Sequence, residues 1–137
     1  MHRACSAGNL DVYDSPFQLI GGLSAELWRS CRLVVDTGLH AKGWTEQETI
    51  DYFMANSPEP YESIRSEVRR YIVMPGQATT YKIGMLKMLE LRSKAIEELG
   101  DDFDIRAFHD TVLGAGALPL DFLEQRVMQW IESVKAA

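Results

Sequence analysis

Residues 23–39 carry their apolar side chains at helical spacing and no other. Leu23, Leu27, Cys31, Val34, Val35 and Gly38 fall on one side of a helix. Arg29, Arg32, Asp36 and His40, at spacings of 3, 4 and 4, stack on the other. At about 100° per residue the four polar groups occupy roughly 80° of arc. A strand, alternating every second residue, cannot make such a stripe. No alternating run of useful length occurs anywhere in the chain. The class predicted is all-α, a compact bundle of five or six helices, one of them long.

Capping signals place the elements. Residues 1–21 read as irregular, broken by Gly8, Asn9, Asp14, Ser15, Pro16 and Gly21, with Gly22 following. The first helix is expected at about 23–39, with Ser24 as its cap. Thr45 and Glu48 have the spacing of a capping box and open a second helix at about 46–55. Ser57-Pro58-Glu59-Pro60 stops it, and a third helix follows at about 61–73. Met74-Pro75-Gly76 breaks the chain. The long helix, about 77–99, ends at Gly100, which suits a left-handed C′ position. Asp104 caps a short helix at about 104–114, and Pro119 opens the last, at about 119–135. The long helix has Tyr81, Met85, Met88, Leu89 and Ile96 on one side and Ile83, Leu86 and Leu91 on another. A helix apolar most of the way round is covered on several sides, so contacts beyond this chain are expected.

Composition narrows the class. With 137 residues, one domain is the prior: a segment at 1–11 followed by a single helical domain at 12–137. A net charge of −6, with no basic stripe, argues against binding nucleic acid or an anionic membrane. The start of the chain lacks the apolar core of a signal peptide, and no apolar run is long enough for a membrane span, which makes the cytoplasm the default location. Cys5 and Cys31 form no CxxC pair and read as reduced thiols.

The motifs of familiar catalytic centres are missing. None of the three histidines, His2, His40 and His109, sits in HExxH, and there is no GxSxG, P-loop or GxGxxG. Cys31 and His40, nine residues apart on one helix, point to different faces and cannot act as a nucleophile–base pair. His109 reads as a partly buried structural histidine, and Gly114-Ala115-Gly116 as a turn. No complete catalytic set, no metal site and no resident cofactor is expected within this chain. Two polar groups remain. The stripe Arg29/Arg32/Asp36/His40 is either a working surface or a solvated face with an ordinary Arg32–Asp36 pair. Tyr71, Gln77, Tyr81 and Lys82 surround the Pro-Gly break. Phenols there can bind a carbonyl or an oxyanion, or can be core tyrosines with satisfied hydroxyls.

Three segments, ELWRSCRLVVDTGLHAKGWT, RYIVMPGQATTYKIG and FDIRAFHDTVLGAGALPLDFLE, resemble the C-terminal part of a large bacterial family, domain of unknown function 885. That family is grouped with zinc-dependent metallopeptidases, and the resemblance runs from about Val12 to Ile131. Complete members carry a zinc motif resembling His-Glu-Ala-x-Pro-Gly-His with a further acidic ligand downstream. This sequence contains no such motif. The stretch DVYDSPFQLIGGLS resembles the part just after those ligands, so the chain is expected to begin beyond the metal site, as a truncated product or one subunit of a split enzyme. MHRACSAGNL lies outside the resemblance.

The resemblance implies that Arg32, Asp36 and His40, with Tyr71, Gln77 and Tyr81, line the substrate side of a cleft. Zinc would belong to complete relatives. This chain would be hydrolytically silent alone, unless a partner supplies the zinc half; a non-enzymatic interaction or scaffold role is the other alternative. Uncovered apolar faces would then drive association, as a homodimer or with the missing half. The polar stripe is expected to be solvent-accessible and to face Tyr71 or Tyr81.

Overall fold

The computed structural model describes residues 14–136, and all its regular structure among them is helical. Six α-helices follow one another: α1 (Pro16–Lys42), α2 (Glu46–Asn56), α3 (Tyr61–Val73), α4 (Thr80–Leu99), α5 (Ile105–Leu113) and α6 (Leu120–Lys135). A single 3₁₀ turn, Gly100–Asp102, follows α4. The all-α expectation holds. The proposed irregular segment 1–11, with His2 and Cys5, lies outside the described residues.

α1 begins seven residues earlier than its periodicity indicated. Ser15, not Ser24, is the N-cap: its hydroxyl accepts from the Gln18 N–H, and Pro16 occupies the first turn. Gly21 and Gly22 therefore sit inside the helix rather than ending it, at a propensity cost of about 1 kcal/mol each. At its other end Gly43, with φ 70°, takes the left-handed cap. α2 has the capping box read from its sequence, with Thr45 and Glu48 bonding reciprocally. α3 has the predicted bounds. α4 starts at Thr80 rather than 77, because residues 75–79 form turns.

The helices divide into two compact units, residues up to Ile83 and residues from Gly84 on. In the first, α1, α2 and α3 pack pairwise around Cys31, Val35, Ile50, Phe53, Ile64, Val68 and Tyr71. Phe53 sits between Trp28 and Tyr71, at ring separations of 4.6 and 6.3 Å. Gly38 allows α1 to meet Trp44. A Cβ there would lie 2.3 Å from the indole, so only glycine fits. In the second unit the core is Leu91, Ala95, Leu99, Phe108, Val112, Leu123, Val127 and Ile131, flanked by Phe103 and Trp130.

The apolar side of α1 is only partly core. Cys31, Val35 and Gly38 are buried, whereas Leu23, Leu27 and Val34 are exposed. His109 is exposed against the Phe108 ring, not partly buried as expected, because α5 turns Phe108 and Val112 inward and leaves the neighbouring position outside.

Candidate functional site

The polar stripe of α1 turns toward α3 and the Pro75–Gly76 bend, all within the first unit. Arg32 and Asp36 do not pair with each other as an i,i+4 helix surface would; the contact within the stripe is His40 with Asp36, at 3.9 Å. Arg32 reaches α3 instead: its Nε donates to the Tyr71 hydroxyl at 2.9 Å, and its Nη2 to Glu67 at 2.7 Å. Three rings surround its guanidinium, with centroids at 5.8 Å (Trp28), 5.6 Å (Tyr71) and 5.5 Å (Tyr81). The Arg32 side chain is only 14% exposed.

Glu67 is the hub. It accepts from Arg32, from the Tyr71 hydroxyl at 2.8 Å, and from Arg70 through Nη2 at 2.8 Å and Nε at 3.3 Å. The two-pronged Arg70 contact is the largest influence holding its carboxyl down, to a pKa of about 2. Burial, followed by the bond to Glu67, pushes the Tyr71 phenol well above its ordinary value. Tyr71 is therefore a neutral core residue whose hydroxyl both donates and accepts.

The network continues outward. Arg70 Nη1 donates to Gln77 Oε1 at 2.7 Å, and Gln77 Nε2 donates to the Tyr81 hydroxyl at 3.3 Å. Arg32, Tyr71, Glu67, Arg70, Gln77 and Tyr81 thus form one hydrogen-bonded chain from the core to a half-exposed phenol (Tyr81, 49%).

Asp36 and His40 stand beside it. Asp36 is only 4% exposed, and both carboxylate oxygens accept from the Gly76 N–H, at 3.0 and 3.3 Å. Gly76 holds φ 78°, a conformation that favours glycine. Asp36 therefore pins the bend from which Gln77 projects. The His40 Nε2 lies 3.0 Å from the Tyr71 carbonyl oxygen and 3.9 Å from Asp36. Of a stripe expected to be open to solvent, His40 is exposed, but Asp36 is buried and Arg32 mostly covered, because α3 and the bend supply partners that the sequence of α1 does not reveal.

All six residues named by resemblance meet in this region. Arg29 departs from the group, its guanidinium donating to the Ala25 carbonyl on its own helix. Three participants were missed: Glu67, Arg70 and Trp28. The spacing of Glu67, Arg70 and Tyr71, at i, i+3 and i+4 on a predicted helix, was a legible sign of a shared face. The Cys31 thiol packs in the core, 3.7 Å from the Asn56 carbonyl oxygen, and burial raises its pKa.

Among the described residues no three His, Cys, Asp or Glu side chains come together as metal ligands. The donor set is guanidinium, phenol and amide, suited to negative or carbonyl oxygen rather than to zinc. No helix among the described residues is long and apolar enough to cross a membrane.

The fold and this core-to-surface network define an all-helical protein built around an arginine–carboxylate–tyrosine relay. Residues 7–127 match the family model described as "Bacterial protein of unknown function (DUF885)", and the chain belongs to that family. A crystal structure from Colwellia psychrerythraea, described as a "putative lipoprotein", is 45% identical over 93% of this chain, with a TM-score of 0.90. The match covers 22% of that protein, so this chain spans about a fifth of the relative's length. No curated protein matches the chain.

Proposed function

We propose that this chain forms the substrate-facing wall of a metallopeptidase-like cleft and performs no hydrolysis alone. The observation carrying the reading is the outer end of the network. Gln77 donates to the Tyr81 oxygen, which leaves the Tyr81 proton free to turn toward a substrate. A phenol held in place by an amide, itself fixed by Arg70, suits a peptide carbonyl and the negative oxygen it becomes. Arg32 and Glu67 supply the rigid backing that such a donor needs, and Asp36 sets the bend that carries Gln77.

Among the described residues no metal-ligand cluster is present to activate a water, and the hydrolytic half is assigned to sequence bearing the His-Glu-Ala-x-Pro-Gly-His motif, in the same polypeptide or a partner chain. The exposed apolar row on α1, Phe17, Ile20, Leu23 and Leu27, is assigned to packing against that half rather than a second copy. The relative's description as a lipoprotein favours the cell envelope over the cytoplasm for such an assembly.

The test is to tag the chain at its own locus, purify it from its own cells, and measure mass, zinc and peptide hydrolysis. A zinc-containing species that carries the motif and loses most of its turnover on Tyr81→Phe is the expected result. A species without the motif, or with full turnover after that substitution, overturns the reading.

A further inference from the structure

Two guanidiniums in the network share one acid. Arg32 and Arg70 both bond Glu67, which leaves one positive charge over in a chain whose net charge is −6. Of the neighbouring acids, Glu26 is paired with Lys82 at 3.1 Å, while Asp36 accepts from the neutral Gly76 N–H and has His40 at 3.9 Å. The other cations of α3 have their own partners, Arg65 with Glu62 and Arg69 with Glu46. Tyr71 stays neutral and adds no negative charge. The Arg32–Glu67–Arg70 group itself therefore carries one net positive charge, with the Asp36 carboxylate one helical turn from Arg32.

This group is open at its rim. Arg70 and Glu67 are each about one-third exposed at their side chains, and Tyr81 is half exposed. Arg70 spends one N–H each at Nε, Nη1 and Nη2 out of five, so donors remain on both terminal nitrogens. The Tyr81 proton is unspent, as argued above. A flat guanidinium beside a phenol, backed by a second guanidinium, matches a planar carboxylate in charge and shape.

We propose that the Arg70–Gln77–Tyr81 rim, backed by Arg32, receives the free α-carboxylate of a peptide, making the cleft selective for peptide C-termini. The proposal rests on the substrate-wall reading and narrows its substrate class. Arg70 and Tyr81 contact the ligand, whereas Glu67 holds both guanidiniums in register and Asp36 positions the bend.

The test uses this 137-residue chain, ¹⁵N-labelled on its arginine side chains, titrated with N-benzoylglycine, its amide and inorganic phosphate. N-benzoylglycine is expected to move the Arg32 and Arg70 Nε–H signals, with the amide about tenfold weaker or worse, since it lacks the charge-assisted bonds. Arg70→Gln is expected to abolish the shifts. Tyr81→Phe, at a half-exposed position that leaves the core intact, is expected to weaken binding about threefold to tenfold. Equal response to acid and amide, equal or stronger response to phosphate, no response to about 10 mM ligand, or indifference to Tyr81→Phe would each overturn the assignment. Peptide hydrolysis by the purified native species without N-benzoylglycine binding would remove the carboxylate site and keep the wall. Binding without hydrolysis would do the reverse.

Discussion

The two units of this chain solve burial in opposite ways. The second, from Gly84 on, has an aliphatic and aromatic core with Arg92 Nε buried beside it without a partner, and its ion pairs lie among partly exposed groups: Lys87 with Glu90 and Glu124, Lys135 with Glu98 and Glu132. The first packs a similar apolar cluster but runs a charged chain into it, with Tyr71 fully buried, Asp36 nearly so and Arg32 mostly covered. Buried polar groups cost stability unless every partner is present, and an apolar replacement of the same shape is often no worse. The second unit shows that this chain can build a dry core. The polar interior of the first is what the proposed substrate wall would require.

That contrast can be broken by substitution, beginning with the largest effect. Ile131→Ala, which opens a hole in the dry core, should cost about 3 kcal/mol in thermal or denaturant unfolding. It should leave the Tyr71–Glu67 hydrogen bond of the first unit unchanged by nuclear magnetic resonance; a disturbed bond would mean that the two interiors are not independent. Gly38→Ala should cost about 2 kcal/mol, since the new methyl collides with the Trp44 indole in the α1–α2 connection, which must shift. A melting temperature equal to the parent's would show that the indole yields freely.

Asp36→Ala should cost about 1.5 kcal/mol by leaving the Gly76 N–H without its acceptor. Asp36→Asn, which keeps an acceptor oxygen, should recover part of that loss. If both variants melt alike, the carboxylate does not pin the bend.

Acid sharpens the comparison further. Glu67 titrates near 2 in the folded chain, below its ordinary value of about 4.5, so the unfolded chain binds the extra proton first. Its contribution is fully present above about pH 4.5 and drains away as pH falls toward 2. After solvent screening of this partly exposed group it amounts to about 1 kcal/mol. Glu67→Gln should flatten that part of the stability–pH curve, and an unchanged acid limb would show that the carboxylate is not held by its arginines. Smallest of all, Tyr81→Phe should shift stability by less than about 0.5 kcal/mol, because the hydroxyl is half exposed. A larger loss would make Tyr81 a structural member of the network rather than its outward end.

Local rules account for what was legible in the sequence. Period-3.6 patterning gave the all-helical class, the Thr45–Glu48 capping box gave the start of α2, Pro60 and Met74 bracketed α3, and the Gly100 and Asp104 signals bounded α4 and α5. These depend on residues within a turn or two of each other, so one chain segment contains the whole cause. α1 starts earlier than its periodicity indicates because the Ser15 cap and Pro16 open a helix that runs through Gly21 and Gly22, which local propensity alone marks as breakers.

The resemblance named six of the site's members but not Glu67, Arg70 or Trp28, and the roles of Arg32 and Asp36 were decided by partners 35 to 40 residues away. Arg32 meets Glu67 and Tyr71 at separations of 35 and 39, and Asp36 meets Gly76 at 40. Read along α1 alone, Arg32 and Asp36 are a surface pair. Packing against α3 and the bend splits that pair, buries Asp36, covers most of Arg32 and gives each different partners. Helical periodicity specifies which side chains share a face; only tertiary packing decides what that face meets, because burial and charge pairing depend on groups that the local sequence does not contain.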